Sequence, residues 1–172
     1  MRFQTNGAKG QFLDVLVKSD ESSVTIKAGA PVFYKPDSSN VKGLAVVSSE
    51  GLTAVLQPFF AGIATQEIAP GKFGNARCYG LMLEARVAKM TRAASTDSWA
   101  SYPAGAIGDI LTPQTLAGVQ ALLAAAAAGS ATNNMWNFIL AEAFVSTTTL
   151  GSSYSSGNLA IVDTLRVFVR TM

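Results

Sequence analysis

A succession of short apolar runs, each bounded by turn residues, constrains the fold of this chain more than any other feature. Residues 81–87 alternate, and so do residues 165–170. A period of two is typical of a strand with one face on a core and one in solvent. In residues 81–87 one face would carry Leu81, Leu83, Ala85 and Val87, and the other Glu84 and Arg86. Further runs of strand length are residues 24–26, 31–34, 43–47, 52–56, 59–65, 76–79, 107–111, 136–143 and 159–162.

These runs predict an all-β fold of small β-barrel or β-sandwich modules. Only residues 112–129 carry helix signals. A capping Thr112, a proline at the first turn, an alanine-rich stretch and a terminal Gly129 favour a helix of roughly three to four turns. The interior Gly118 and the weak amphipathicity argue against it, so both a helix and strands remain open for this segment.

The two halves of the chain resemble one another. Residues 28–36 match residues 104–113 as a small-residue turn, an apolar strand and a proline. Weaker matches join residues 43–47 to 118–122 and residues 60–65 to 138–143. We therefore expect two repeated halves. The predicted organisation is an N-terminal arm at residues 1–23, a first β module at 24–92 and a second at 93–172. Fusion of the two modules into one domain is the alternative.

The composition indicates a protein with extensive partner contacts. Only 14% of its 172 residues are charged, although 49% are hydrophobic. A surface with so little charge predicts burial against partners, and a tightly folded monomer is the alternative. The net charge is +2, with 11 Lys/Arg and 7 Asp/Glu in residues 1–92. That excess is too small to predict direct nucleic-acid binding.

Nothing in the first residues or in the apolar run at 116–128 predicts a signal peptide or a membrane span. One cysteine, Cys78, allows no intrachain disulfide. We therefore expect a protein that is made in the cytoplasm and has no membrane partner.

Catalytic chemistry has no candidate residues in this sequence. The chain has no histidine, which removes histidine-based catalysis and histidine metal ligands. Cys78 is expected in the core, and Glu67 and Glu84 as separate surface carboxylates. Residues 69–74 contain Gly71-Lys72 without phosphate-loop spacing, so Pro70-Gly71 predicts a type II turn. We expect no catalytic, cofactor-binding or metal-binding residues, no cofactor, and therefore no enzyme.

The aromatic side chains are more often core than ligand site. They are Phe59, Phe60, Trp99 and Trp136, with Trp99 as the one that could anchor an interface.

One family resemblance rests on residues 28–87. AGAPVF is followed by AGIATQEIAPGKFGNARCYGLMLEARV, with Gly62-Ile63-Ala64, Pro70-Gly71, Gly74 and Gly80 at the characteristic places. This segment resembles the decoration (cement) proteins of tailed-bacteriophage capsids. The second half matches more loosely, through residues 104–105, 108–109 and 140–143.

The resemblance implies a structural virion protein on the outside of the capsid lattice, which it stabilises. Its partners would be the major capsid protein and further copies of itself, as a homotrimer or alternatively a dimer. The polar residues 1–23 could then order on the partner. Two other functions stay open: another virion component, such as a tail or head-completion protein, and a β-rich carbohydrate- or ligand-binding module.

Overall fold

A computed structural model describes residues 3–4, 12–36, 44–50, 59–91, 100–101, 107–108, 110–113, 118–124, 137–142 and 160–170. Within these residues the fold is all-β, as predicted, and contains no helix. The strands are β1 (Phe3–Gln4), β2 (Leu13–Ser19), β3 (Pro31–Tyr34), β4 (Ala45–Ser48), β5 (Phe60–Ala64), β6 (Phe73–Thr91), β7 (Ala100–Ser101), β8 (Ile110–Pro113), β9 (Leu122–Ala124), β10 (Asn137–Leu140) and β11 (Ala160–Arg170).

The first half closes into a five-stranded barrel, which we call the first ring. β2 pairs with β4 in parallel, and β4, β3, β5 and β6 follow in antiparallel order. β6 then pairs with β2 and closes the ring. Val15 and Val17 of β2 point into its core, because alternate residues of a strand face the same side. Residues 13–19 of the predicted arm are therefore a strand of the barrel.

A second closed circuit of five strands, the second ring, follows the same order of pairings. β6 pairs with β9 in parallel, and β9, β8, β10 and β11 follow in antiparallel order back to β6. Matching backbone hydrogen bonds occur in both rings: Gly29 donates to the Ala64 carbonyl, and Gly108 donates to the Leu140 carbonyl, each at 2.8 Å. In the second ring, Gly108 therefore occupies the position that Gly29 occupies in the first, whereas the sequence comparison matches Gly105 to Gly29. Repetition of one module in the two halves stays a prediction.

β6 belongs to both rings. Tyr79, near its middle, pairs with Leu13 of the first ring and with Arg170 of the second. Gly80 suggests a break between two runs in the sequence, but it lies inside the strand with φ of 103°. Glycine adopts such a backbone without the steric cost of a Cβ atom. The modules predicted at 24–92 and 93–172 therefore share a strand.

Each ring has its own apolar core, and three phenylalanine side chains connect the two cores. The Phe60 ring lies 5.4 Å from the Phe33 ring and 4.4 Å from the Phe138 ring, both edge to face. The first core contains Val15, Val17, Ile26, Ala30, Val32, Val46, Ala61, Ala64, Ile68, Ala76 and Cys78. The second contains Ile63, Met82, Ala85, Val87, Leu111, Leu122, Phe138, Leu140, Leu165, Val167 and Val169.

Leu81 and Leu83 point to solvent, while Met82, Ala85 and Val87 are buried, so the single apolar face predicted for residues 81–87 is wrong. The cause is an irregularity in the pairing of β6 with β11, where the register shifts between Leu165 and Val167.

In the segment 112–129, the described residues 112–113 and 118–124 form strand and turn and no helix.

Candidate interaction surfaces

Of the residues considered for catalysis, Cys78 and Glu84 lie on β6, and Glu67 lies between β5 and β6. Among the described residues, no group of three or more Cys, Asp or Glu side chains could hold a metal ion. Glu67 and Glu84 are exposed. Cys78 is buried in the first core, as predicted, and its thiol donates to the Leu13 carbonyl at 3.3 Å. Trp99 and Trp136 lie outside the described residues.

The turn at residues 69–72 is confirmed as a type II turn. Lys72 N–H donates to the Ala69 carbonyl at 3.0 Å, with Pro70 and Gly71 between them. Gly71 has φ of 71°, which this turn requires at its third residue. The Gly-Lys pair is therefore part of a turn that enters β6.

The outer side of β6 is a long surface that spans both rings. Ala76 and Cys78 face the first core, so the odd-numbered residues of the strand point outward. From residue 73 to residue 83 every odd-numbered side chain is exposed or half-buried. In order, these residues are Phe73, Asn75, Arg77, Tyr79, Leu81 and Leu83.

On the second ring, apolar side chains form a row across four neighbouring strands. Leu81 of β6 pairs with Phe168 of β11, Phe168 with Ile139 of β10, and Ile139 with Ile110 of β8. Directly paired residues on the same face are in side-chain contact. Leu81, Ile139 and Ile110 are each more than 40% exposed. We call these four residues the apolar row.

The two sides of the row differ in charge. Arg170 lies on one side, next to Tyr79, whose ring is 5.6 Å from that of Phe168. The other side holds Glu84, Arg166 and Glu142. The Arg166 Nε and Glu142 Oε2 atoms are 3.8 Å apart, and both side chains are largely exposed. An exposed pair at this distance contributes little to stability, although Glu142 Oε2 also accepts from the Arg166 N–H at 3.3 Å.

A second exposed surface lies on the first ring. Phe73 is 53% exposed and pairs with Lys18, whose Nζ lies 5.8 Å from the Phe73 ring centre. Leu16, also exposed, lies two residues before Lys18 on the same face of β2. We call Leu16, Lys18 and Phe73 the first-ring patch.

A fixed ion pair separates the two surfaces. Arg77 Nε and Nη2 donate to the Asp14 carboxylate at 2.9 and 3.2 Å, and Nη1 donates to the Leu81 carbonyl at 2.7 Å. The Phe12 ring lies 4.2 Å from the guanidinium carbon. Because all three of its nitrogen atoms donate to fixed acceptors, Arg77 holds this part of the surface rigid.

The contact between the rings contains a buried polar side chain that sequence reasoning missed. Gln120 Oε1 accepts from the Lys27 N–H at 2.8 Å, and its Nε2 donates to the Thr25 carbonyl at 3.1 Å. Arg86 Nε donates to the Gln120 carbonyl at 2.9 Å, and burial lowers the pKa of Arg86. This network fixes the two rings against each other. No local pattern around residue 120 could have revealed it, because Lys27 and Thr25, which bind its side chain, lie more than 90 residues away.

Sequence reasoning also missed the apolar row. Leu81 and Leu83 were expected on the core face, and nothing in the sequence distinguishes an exposed leucine from a buried one. Phe60 packs against the core as predicted, whereas Phe59 is exposed.

Comparisons of the chain with protein-family models, with curated proteins and with solved structures find no match. Within the described residues there is no helix that is long and apolar enough to cross a membrane.

Proposed function

We propose that the chain is a structural virion protein: a decoration protein that binds the outside of a tailed-phage capsid and stabilises it, without a catalytic step. The observation that carries this proposal is the pair of separate exposed apolar surfaces on one rigid sheet. The first-ring patch and the apolar row lie on the same outward side of β6. A component of a lattice needs at least two contact surfaces, one for the lattice and one for its neighbours.

The physical properties of these surfaces support a protein partner. Monomeric proteins scatter exposed apolar residues singly, whereas contiguous ones mark contact sites. The row crosses neighbouring strands directly, so its side chains form a contiguous surface. The low charge of the chain also limits the number of ionic groups that lose water on binding.

We assign the capsid contact to the first-ring patch. It lies in the half of the chain that carries the excess of Lys and Arg, and Lys18 is part of it. Phe73 would supply the apolar anchor, because large, partly exposed aromatic side chains contribute most to binding energy. The major capsid protein would then present an apolar recess with acidic residues beside it.

The test is the copy number of the chain in phage particles whose genome encodes it, measured by quantitative mass spectrometry against the major capsid protein. A ratio near one to one is expected for a protein that covers the shell. A few copies per particle would instead indicate a tail or head-completion component. Absence from particles would reject the proposal and leave a ligand-binding module as the explanation.

The assigned surface is tested by adding purified variants to capsids that lack the chain and measuring occupancy after sedimentation. Phe73→Asp and Leu16→Asp should reduce occupancy at least tenfold. Ile107→Asp is the matched control, since Ile107 is a large apolar residue that is 71% exposed and lies outside both surfaces. Equal occupancy of Phe73→Asp and Ile107→Asp would show that the patch does not bind the capsid.

A further inference from the structure

The two rings carry equivalent rows of outward side chains, which differ in what covers them. In the first ring the row runs from Asp14 to Arg77, Ile63 and Pro31, through the same succession of pairings as the apolar row. Ile63 is fully buried and belongs to the core of the second ring. This chain therefore covers part of the first row with its own second ring.

In the second ring the equivalent row is open. Arg77 and Asp14 correspond to Phe168 and Leu81, so an ion pair in the first ring is replaced by two apolar side chains. Ile139, which corresponds to the buried Ile63, is 42% exposed. Within the described residues, the surface that the second ring covers in the first ring is thus left exposed in the second ring.

We propose that the apolar row binds the apolar row of a second copy of this chain, face to face, about a twofold axis that runs parallel to the strands between β10 and β11. The axis places Phe168 over Ile139 of the other copy and Leu81 over its Ile110. An interface of this type is self-complementary, because each contact occurs twice. Sheets that pack face to face keep their strand directions within about 30° of each other, which this axis satisfies.

The charges beside the row fit the same arrangement. Arg166 on β11 and Glu142, two residues beyond the end of the neighbouring β10, lie on one side of the row. The twofold axis therefore places Arg166 of each copy over Glu142 of the other. Within one chain these groups are 3.8 Å apart and exposed, and Glu142 Oε2 also accepts from the Arg166 N–H at 3.3 Å. Turning toward the partner therefore exchanges one weak ion pair and one long hydrogen bond for contacts with the other copy. Any face-to-face arrangement that superposes like charges is disfavoured.

This interaction goes beyond the proposed capsid role and does not depend on it. It predicts a dimer of the purified chain in free solution, measured by sedimentation velocity and light scattering across a concentration series. Phe168→Asp should abolish the dimer. Ile107→Asp is the control, since it places the same charge on a large apolar residue that is 71% exposed and lies outside both surfaces. Both variants are checked by circular dichroism, so that a loss of folding is distinguished from a loss of association.

A mixing experiment separates contacts between chains from contacts within one chain. In a dimer of Arg166→Glu, the new carboxylate of each copy faces the Glu142 carboxylate of the other copy. In a dimer of Glu142→Arg, the new guanidinium group of each copy faces the Arg166 guanidinium group of the other copy. Each variant alone should dimerise at least tenfold more weakly than the original chain. In an equimolar mixture both contacts become attractive, although the pair within each chain remains disrupted, so mixed dimers should form.

Three results would overturn the proposal. They are a monomeric chain at tens of micromolar, a trimer as its smallest assembly, and single-charge variants that dimerise as well as the original chain. If the chain is monomeric and Phe168→Asp lowers capsid occupancy, the row belongs to the capsid contact. Failure of dimerisation with normal capsid occupancy would reject this inference and leave the proposed function intact.

Discussion

Two glycines with nearly the same backbone conformation provide a sharp test of how closely the rings approach. Gly29 has φ of 78° and Gly71 has φ of 71°. A Cβ atom on Gly29 would lie 2.3 Å from the Glu84 carbonyl oxygen, which belongs to β6. A Cβ atom on Gly71 would meet nothing within 4 Å. Alanine at either site experiences the same left-handed strain, but only at Gly29 must the main chain move.

The magnitudes follow from these contacts. Left-handed backbone costs an alanine roughly 1–2 kcal/mol, and its smaller unfolded-state entropy returns up to about 1 kcal/mol. Gly71→Ala should therefore lower the free energy of unfolding by about 1 kcal/mol. Movement at Gly29 also weakens two hydrogen bonds. The Gly29 N–H donates to the Ala64 carbonyl at 2.8 Å, and the Gly29 carbonyl accepts from the Arg86 N–H at 2.9 Å. At about 0.5–1.5 kcal/mol each, they bring the cost of Gly29→Ala to about 2–4 kcal/mol.

The assay is urea denaturation of both variants, followed by far-ultraviolet circular dichroism and by tryptophan fluorescence. A chain of this size loses about 2–4 °C in Tm per kcal/mol, so thermal unfolding gives a second measurement. If Gly29→Ala and Gly71→Ala change stability by equal amounts, the close approach of Gly29 to β6 is refuted. Gly29→Ala should also leave the two probes coincident, because β6 joins both rings.

Three further predictions concern the core, the ring contact and pH. Phe138→Ala should cost about 3–5 kcal/mol because it leaves a cavity between the cores, whereas Phe73→Ala on the surface should cost under about 1 kcal/mol; urea midpoints compare them. Gln120→Ala leaves the Lys27 N–H without its acceptor and should cost about 1–3 kcal/mol by the same assay. Burial, together with the Cys78 thiol, raises the pKa of Tyr34. Folding thus favours the neutral phenol. Its contribution to the free energy of unfolding is therefore complete below pH 10 and is lost as the pH rises further. Above pH 10, the Tm of Tyr34→Phe should fall less than that of the original chain.

The fold class could be predicted because alternation and burial agree in several strands. In β11, Leu165, Val167 and Val169 are buried as the sequence pattern predicts. The pattern fails where tertiary structure changes the register, as after Met82 in β6. There the irregular pairing reverses which residues face the core, and the amino-acid types alone carry no sign of it.

The helix signals at residues 112–129 show how pairing overrides local preference. Pro113 favours the first turn of a helix, yet it lies at the end of β8, opposite Leu122 of β9. Both Leu111 and Leu122 are buried in the second core. Local propensities are weak compared with burial of this kind, so long-range contacts determine the structure of the described residues.

The candidate surfaces could not be predicted for a related reason. The apolar row joins strands that are far apart in the sequence, from Leu81 to Phe168. Its members are leucine, isoleucine and phenylalanine, which sequence reasoning assigns to a core. Only the register between strands shows that they meet on the outside. The expectation of a non-catalytic protein, by contrast, follows from composition and stays a prediction.

The shared strand has a mechanical consequence. β6 is hydrogen-bonded to β2 on the first ring and to β11 on the second, and both pairings are antiparallel. Tension applied along β6 would pull these ladders in shear, so that many hydrogen bonds must break together rather than one after another. Force that enters through the first ring would pass to the second along a single covalent backbone. The chain is therefore built to resist stretching along this axis more strongly than peeling of its shorter strands.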